Sequence, residues 1–197
     1  GLLIYTTMAV YLAAFVLRIF KVRRTEYLVF AFGFVFAMVS FVYRWFHAGH
    51  IPLQNLFELF ITMAPVVYIL SLLSRKVLDI NQSAVDMLIG VVVLFPAGFV
   101  FSENPRLLPP ALQSIFFVPH VAAYVFGYIF MFKGVAAATQ TLTSHRQKQL
   151  LFENNTYRLI RTGFPLLVLG LILGSCWAHY AWADYFGWDP KELWSLA

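Results

Sequence analysis

Six apolar runs, each long enough or nearly long enough to cross a lipid bilayer as a helix, dominate this sequence of 197 residues. They lie near residues 1–20, 27–43, 57–74, 84–101, 115–138 and 162–181. A bilayer core about 30 Å thick needs roughly 20 apolar residues per helix. Within it, backbone polar groups must bond to one another, which favours helices. The sequence therefore predicts an all-α, polytopic membrane helix bundle with about six transmembrane helices.

Composition supports one membrane domain spanning 1–197. Charged residues make up 12% of the chain, whereas soluble domains carry about a quarter. No basic stretch and cleavage site precede the first run, so no cleavable signal peptide is predicted. Both ends look cut, because the chain opens with Gly1 inside an apolar run and stops soon after a helix-start signal at Asp189-Pro190. We therefore expect a piece of a longer protein.

The net charge of +5 is distributed by side of the membrane. Eleven of the fourteen Lys and Arg residues, including Lys133, are assigned to one side, and only Arg44, Arg106 and Lys191 to the other. The positive-inside rule makes the basic side cytoplasmic. The loops predicted to be cytoplasmic are 20–27, 75–83 and 139–161. The loops predicted to be external are 44–56 and 102–114, followed by the segment after the sixth run. The charge thus indicates topology rather than a nucleic-acid partner.

The segment 177–194 contains four of the five tryptophans of the chain. They are Trp177, Trp182, Trp188 and Trp194. Such residues commonly form a belt at headgroup level. Four within one segment, with Tyr180, Tyr185 and Phe186 between them, favour an aromatic platform for a flat apolar ligand over a belt alone.

His120 lies a few residues inside the fifth run, directly after Pro119. An ionisable residue at membrane depth is costly and normally faces a cavity, a partner or a ligand. Neutral imidazole is a common axial ligand of haem iron, and an aromatic platform on the same face would contact the porphyrin. We predict a haem with His120 as its metal ligand. The alternative is a histidine bonded to a neighbouring helix.

The other histidines carry weaker signals. His47 and His50 are three residues apart, but Gly49 and Pro52 indicate a turn, which favours a polar loop over a metal-binding pair. His179 is a secondary candidate, either as a ligand or as a polar group that orients the indoles. His145 falls in the basic loop and is interpreted as a solvated residue.

Three further features of the sequence have structural interpretations. Glu58, at the start of the third predicted helix, is favoured there by the helix dipole. Cys176 is the one cysteine of the sequence, so the chain has neither an internal disulfide nor the Cys-x-x-Cys-His site of a c-type cytochrome. Small residues at 170, 174 and 178 form a face suited to close helix packing.

Three stretches resemble the tryptophan-rich (WWD-domain) haem-handling family of cytochrome c maturation, specifically the CcsA/ResC-type membrane subunit of System II. The most specific is the segment from Gly174 to Leu196, with Gly-Ser-Cys-Trp-Ala, Ala-Trp and Trp-Asp-Pro-Lys-Glu-Leu-Trp-Ser-Leu. The second is Gly-His-Ile-Pro-Leu-Gln-Asn-Leu-Phe-Glu at 49–58, and the third is Leu112-Gln113-Ser114 leading to His120.

The chain departs from the family pattern in two places. Residues 182–186 read Trp-Ala-Asp-Tyr-Phe where the family often has Trp-Gly-x-Tyr-Trp, so one glycine and one indole are replaced. The family also has a membrane histidine and an external histidine downstream of the tryptophan segment, and these positions fall beyond residue 197. Residues 1–197 would then supply half of a bis-histidine site.

The resemblance implies a membrane haem-handling subunit that presents haem b at the outer face for thioether attachment to apocytochrome c. Catalytic residues are not assigned. The haem site would be formed by His120, Trp177, Trp182, Trp188, Asp189, Trp194 and His179. The partners would be the Cys-x-x-Cys-His peptide of apocytochrome c, a ResB/CcsB-type subunit or fused domain, and the lipid bilayer.

The same resemblance implies a multi-pass protein of the bacterial inner membrane or thylakoid membrane, with the tryptophan segment on the periplasmic, external or lumenal side. It also implies that the chain forms part of a holocytochrome c synthase of the haem lyase type. Two other functions stay open: a haem carrier or exporter without ligase activity, and a non-catalytic scaffold of the synthase complex.

Overall fold

The computed structural model describes residues 1–21, 23–104 and 114–196. Within these ranges the chain is helical and forms no strand, which confirms the all-α prediction. The helices are α1 Leu2–Ile19, α2 Arg23–Ala48, α3 Leu56–Val77, α4 Ser83–Phe99, α5 Phe117–Thr143, α6 Arg146–Trp182 and α7 Pro190–Leu196.

Five of these helices are long and apolar enough to cross a membrane: α1, α2 from Thr25, α3, α5 and α6. The shorter apolar helix α4 has 17 residues. The six predicted runs thus coincide with the six long helices, and the polytopic bundle is confirmed. The predicted loop 102–114, which includes Arg106, Leu112 and Gln113, lies largely outside the described residues.

The prediction of a loop at 139–161 is wrong. Helix α5 continues to Thr143 and α6 begins at Arg146, so only Ser144 and His145 separate them. Residues 139–161 are mostly polar, which suggested a loop. Many of them are nevertheless Arg, Lys, Gln, Glu or Leu, which are good helix formers. At 1.5 Å per residue, the 37 residues of α6 extend about 55 Å, well beyond a hydrocarbon core of about 30 Å.

Helices α1 to α4 pack around the fully buried ring of Tyr11 on α1. A Cβ atom at Gly33 on α2 or at Gly90 on α4 would lie 2.5 Å from this ring, so both helices approach it through glycine. The Tyr11 hydroxyl donates to the carbonyl oxygen of Ala64 on α3 at 3.1 Å, which satisfies its polar group inside the bundle. One side chain therefore joins all four helices.

Helices α5 and α6 form a closely packed hairpin. A Cβ at Gly127 would lie 2.5 Å from Leu167, and one at Gly163 would lie 2.7 Å from Phe130, so the helix backbones approach without side chains between them. The hairpin contacts the first four helices through α5, against α3 and α4.

A buried ion pair joins α5 to α4. The Nζ atom of Lys133 lies 2.5 Å from Oδ1 of Asp86, and both side chains are nearly inaccessible to solvent. Gln82 Nε2 also donates to the carbonyl oxygen of Lys133 at 3.4 Å. Lys133 was assigned above to the basic loop side near a helix end. The residue is inside α5, and its charge is matched by a carboxylate from the first turn of α4, so it is not a free loop charge. The positive-inside bias without it is ten to three.

Candidate functional site

A cavity of about 720 Å³ lies beside the end of α6 that continues into the aromatic segment. It is formed by α5, α6, the connection 183–189 and α7. Five of the seven predicted site residues line it: His120, Trp177, Trp182, Asp189 and Trp194. The volume lies within the range of roughly 300–1,000 Å³ that is typical of small-molecule and cofactor sites. The fold thus brings most of the predicted site into one place.

His120 is in the first turn of α5. Pro119 precedes it at a helix position where the absent N–H costs no helical hydrogen bond. The half-buried imidazole has its Nδ1 atom 2.7 Å from the carbonyl oxygen of Gly170 on α6. Its ring stacks on Trp177 at 5.8 Å between centroids and meets the edge of Tyr124 at 4.9 Å. The alternative interpretation, a histidine bonded to a neighbouring helix, therefore holds for Nδ1, one of the two ring nitrogens.

Glycines on α6 allow this approach. A Cβ at Gly174 would lie 2.6 Å from Cε1 and 2.7 Å from Nδ1 of His120. One turn earlier, a Cβ at Gly170 would lie 3.1 Å from the ring of Tyr124. The small-residue face predicted from 170, 174 and 178 is thus the surface on which the α5 aromatic side chains lie.

The tryptophans of α6 extend the aromatic wall from His120. Trp177 packs against Phe117 at 5.5 Å and meets Trp182 edge to face at 4.9 Å. Trp182 is 60% exposed and Trp194 on α7 is 80% exposed. Exposed indoles at the rim of a cavity are available to a flat apolar ligand.

Helix α6 ends in a left-handed turn. The cap residue Ala183 has φ 61°, and its N–H donates to the carbonyl oxygen of His179 at 2.8 Å. Glycine is the usual residue in this conformation. That is a physical reason for the glycine that similar tryptophan segments often carry at this position.

Asp189 caps the helix that follows. Its Oδ1 atom accepts a hydrogen bond from the backbone N–H of Glu192 at 2.9 Å, and α7 begins at Pro190. Both features were predicted from the Asp-Pro signal. The cap fixes the start of α7, and α7 carries Trp194 to the cavity.

Two predicted site residues, Trp188 and His179, contact the wall of the cavity instead of lining it. Trp188, with φ 55° and 70% exposure, packs edge to face on Phe186 at 5.0 Å. His179 stacks flat on Tyr185, with centroids 4.1 Å apart and an interplanar angle of 1°. Phe186 and Tyr185 line the cavity. His179 therefore has the geometry of an orienting group.

Tyr124, Tyr128, Glu192 and Ser195 also line the cavity and were not singled out from the sequence. Tyr124 and Tyr128 stack at 5.5 Å. A signal for the tyrosines was present, because positions 120, 124 and 128 repeat every four residues and share one helix face. No such signal was present for Glu192 and Ser195, because their position at the cavity depends on the path of the chain through 183–189.

The donor set fits one face of a haem. Among the described residues, no group of three or more His, Cys, Asp or Glu side chains could hold a metal ion by itself. The cavity instead combines one imidazole with aromatic walls. That combination suits an iron held mainly by its own macrocycle, with the protein supplying an axial nitrogen and apolar contact surface.

A second polar cluster joins the end of α2, the start of α3 and the loop between them. The fully buried Glu58 accepts from Arg44 at 2.8 and 3.0 Å through Oε1. Its Oε2 atom lies 3.2 Å from His50 Nε2. Asn55 caps α3 by accepting from the Glu58 N–H at 2.8 Å. Glu58 is thus held by specific contacts with Arg44 and His50, in addition to the helix dipole that was predicted to favour it.

His47, in the last turn of α2, and His50, in the loop that follows, do not form a metal-binding pair. His50 is engaged with Glu58, and His47 stacks on Tyr43 at 5.8 Å. The turn at Gly49, with φ 72°, separates them. The interpretation as a polar loop is therefore confirmed for His50, whereas His47 lies in α2, which continues to Ala48.

Comparison with known proteins identifies the family. The model of the family described as Cytochrome C assembly protein matches residues 53–197. The chain belongs to this family. That range includes α3 to α7 and every residue that lines the cavity described above. The resemblance drawn from residues 49–58, 112–121 and 174–196 is therefore confirmed.

Several curated relatives are described as cytochrome c biogenesis protein CcsA. The cytochrome c biogenesis protein CcsA of Chlamydomonas reinhardtii is 32% identical over 171 residues, covering 78% of this chain and 48% of the relative. CcsA of Nicotiana tomentosiformis is 27% identical over 203 residues, covering 79% of this chain and 63% of the relative. CcsA of Mesostigma viride is 29% identical over 192 residues, with 78% and 63% covered. The chain spans about half to two thirds of the length of these curated relatives.

Proposed function

We propose that this chain functions in cytochrome c biogenesis as the haem-handling part of a multi-pass membrane protein. Membership of the cytochrome c assembly family and similarity to CcsA proteins support the process. The cavity with one imidazole and a tryptophan-rich wall supports the role within it. We propose haem b as the cofactor, held for attachment to apocytochrome c on the external, periplasmic or lumenal side.

The observation that carries this proposal is the position of His120 in the wall of the aromatic cavity. His120 would bind the iron through an imidazole nitrogen. Trp177, Trp182 and Trp194 would contact the porphyrin faces and edges. Asp189 would act through the start of α7. Trp188 and His179 would support Phe186 and Tyr185, which they contact.

The chemistry would depend on position and orientation. Haem supplies two vinyl groups, which can take up the thiols of a Cys-x-x-Cys-His peptide as thioethers. The residues of this chain would hold the ring plane, exclude water with aromatic side chains and leave one edge open to the peptide. Holding reactants in a fixed geometry can account for several kcal/mol of a barrier. We propose apocytochrome c and a ResB/CcsB-type subunit or fused domain as partners.

The test is haem retention by the full-length protein. His120→Ala should lose most haem during purification, because the axial nitrogen is removed, and added imidazole should restore part of it. His145→Ala, on the α5–α6 connection, is the matched control and should retain haem. An unchanged haem content and absorbance spectrum in His120→Ala would contradict the assignment.

Co-expression with an apocytochrome separates attachment from transport. A synthase subunit should yield covalently haem-labelled cytochrome, and Trp182→Ala and Trp188→Ala should lower that yield. Haem retention without covalent product would favour a carrier or exporter, and the absence of both would favour a scaffold.

A further inference from the structure

We propose that α6 sets both the tautomer and the position of His120, with the carbonyl of Gly170 and the missing side chain of Gly174 as the two positioning elements. This inference rests on the proposed function of His120 as an iron ligand. It assigns a role to two glycines that have no side chain.

The first step concerns the proton on the imidazole. A backbone carbonyl oxygen only accepts hydrogen bonds, so the contact of 2.7 Å with Gly170 requires a hydrogen on Nδ1 of His120. A neutral imidazole has one N–H, so Nε2 then keeps its lone pair. Metal-binding histidines commonly have their other nitrogen held in this way, which orients the ring and increases the basicity of the ligand. The Gly170 carbonyl thus selects Nε2 as the coordinating atom.

The second step concerns space. Gly174 follows Gly170 by one helical turn and faces the same ring. A Cβ at position 174 would approach Cε1 and Nδ1 to 2.6 and 2.7 Å, whereas favourable carbon contacts are about 3.5–4.0 Å. Trp177 and Tyr124 hold the ring from other sides, at 5.8 and 4.9 Å between centroids. An added methyl group would therefore displace the imidazole by roughly 1 Å.

Among the glycines of the hairpin, Gly174 is the one whose Cβ would meet the imidazole of His120. The glycines farther along the hairpin, Gly127 and Gly163, meet apolar side chains of the opposite helix and serve packing alone. At Gly134 a Cβ would lie 3.4 Å from Ile160, an ordinary contact. Gly134→Ala is thus a matched control on the same hairpin, away from the imidazole.

The experiment compares haem affinity, absorbance and reduction potential in the full-length protein. Gly174→Ala should weaken haem binding by about 10- to 100-fold, the usual effect of losing a supporting partner of a metal ligand. It should also shift the absorbance and potential of the haem that remains. Gly134→Ala should leave all three quantities unchanged.

A second pair of variants distinguishes positioning from folding. In a His120→Gly background, adding Gly174→Ala should have no further effect on haem affinity, because the ring that it displaces is absent. An equal loss from Gly174→Ala in both backgrounds would show a general structural role and overturn the inference.

The two proposals fail in different ways. Haem retained by His120→Ala would overturn the ligand assignment itself. Haem lost by His120→Ala, but bound by Gly174→Ala with unchanged affinity, spectrum and potential, would overturn the positioning role alone. The tautomer is tested without haem by ¹⁵N NMR of histidine-labelled protein at neutral pH, with His120→Ala for assignment. We expect the Nδ1–H form, and the Nε2–H form would contradict it.

Discussion

At the scale of single residues, buried charge does the most to constrain this chain. Lys133 and Asp86 are inside the helix bundle, yet each has its counter-charge at 2.5 Å. The carboxylate of Glu58 likewise accepts hydrogen bonds from Arg44 and from the backbone N–H of Gln54, and it contacts His50. An isolated charge in such surroundings would cost several kcal/mol or more. These side chains are therefore tolerated only as sets, and each set joins segments that are separate in sequence.

The Lys133–Asp86 pair gives a prediction of stability. Lys133→Met should destabilise the purified protein by about 3–5 kcal/mol, because it leaves the carboxylate of Asp86 buried without its partner. The double variant Lys133→Met, Asp86→Leu should recover most of that loss, because an apolar pair needs no counter-charge. Denaturant unfolding in detergent measures both, with Lys148→Met on the exposed start of α6 as the control. A single variant as stable as the parent would contradict the role of the pair.

Residue-scale prediction from sequence was uneven for a physical reason. His120 was found because it interrupts an apolar run, and Asp189 because its capping partner is three residues away. The burial and pairing of Lys133 were not predicted, because its partner on α4 is 47 positions away along the chain. A local pattern reports local partners, whereas a buried ion pair between helices depends on how those helices pack.

At the scale of elements, helix positions followed from hydropathy and helix ends did not. An apolar run predicts where a span lies, because the bilayer thickness fixes its length. It does not predict how far a helix continues into water, because polar residues with high helix propensity suit either a loop or a further turn. Helix α6 shows the difference, since it begins at Arg146 instead of near residue 162.

Helix α7 gives the prediction at this scale. Asp189→Ala removes the oxygen that accepts the Glu192 N–H, and the loss of an N-cap costs about 0.5–2 kcal/mol of helix stability. Amide hydrogen exchange across 191–196 should become roughly two- to thirtyfold faster. Asp184→Ala is the control, because Asp184 accepts from the Phe186 N–H but caps no helix. Unchanged exchange after Asp189→Ala would show that α7 is held by other contacts.

At the scale of the whole molecule, the helices form two packing units, and one of them carries the candidate site. Helices α1 to α4 surround Tyr11, while the α5–α6 hairpin, the connection 183–189 and α7 supply the residues that line the aromatic cavity. The candidate site thus belongs to one unit, which the Lys133–Asp86 pair and the contacts of α5 attach to the other. The sequence could predict the spans and the aromatic segment, but the division into units depends on which glycines meet which side chains across helices.

Topology is the prediction on which the proposed function depends as a whole. The basic residues favour the side of the α5–α6 connection by ten to three once Lys133 is set aside, and the rule acts most strongly through short loops. Residues 177–194 should then lie outside, where an exported apocytochrome can reach them.

Single cysteines introduced at exposed positions test this arrangement in intact cells. In a Cys176→Ser background, Asp184→Cys should react with a membrane-impermeant thiol reagent. Gln147→Cys, near the start of α6, should react only after the membrane is opened, which also shows that the thiol itself is accessible. The reverse pattern would place the aromatic cavity on the cytoplasmic side. It would exclude attachment of haem to an exported cytochrome there and leave cytoplasmic haem loading as the role of the same cavity.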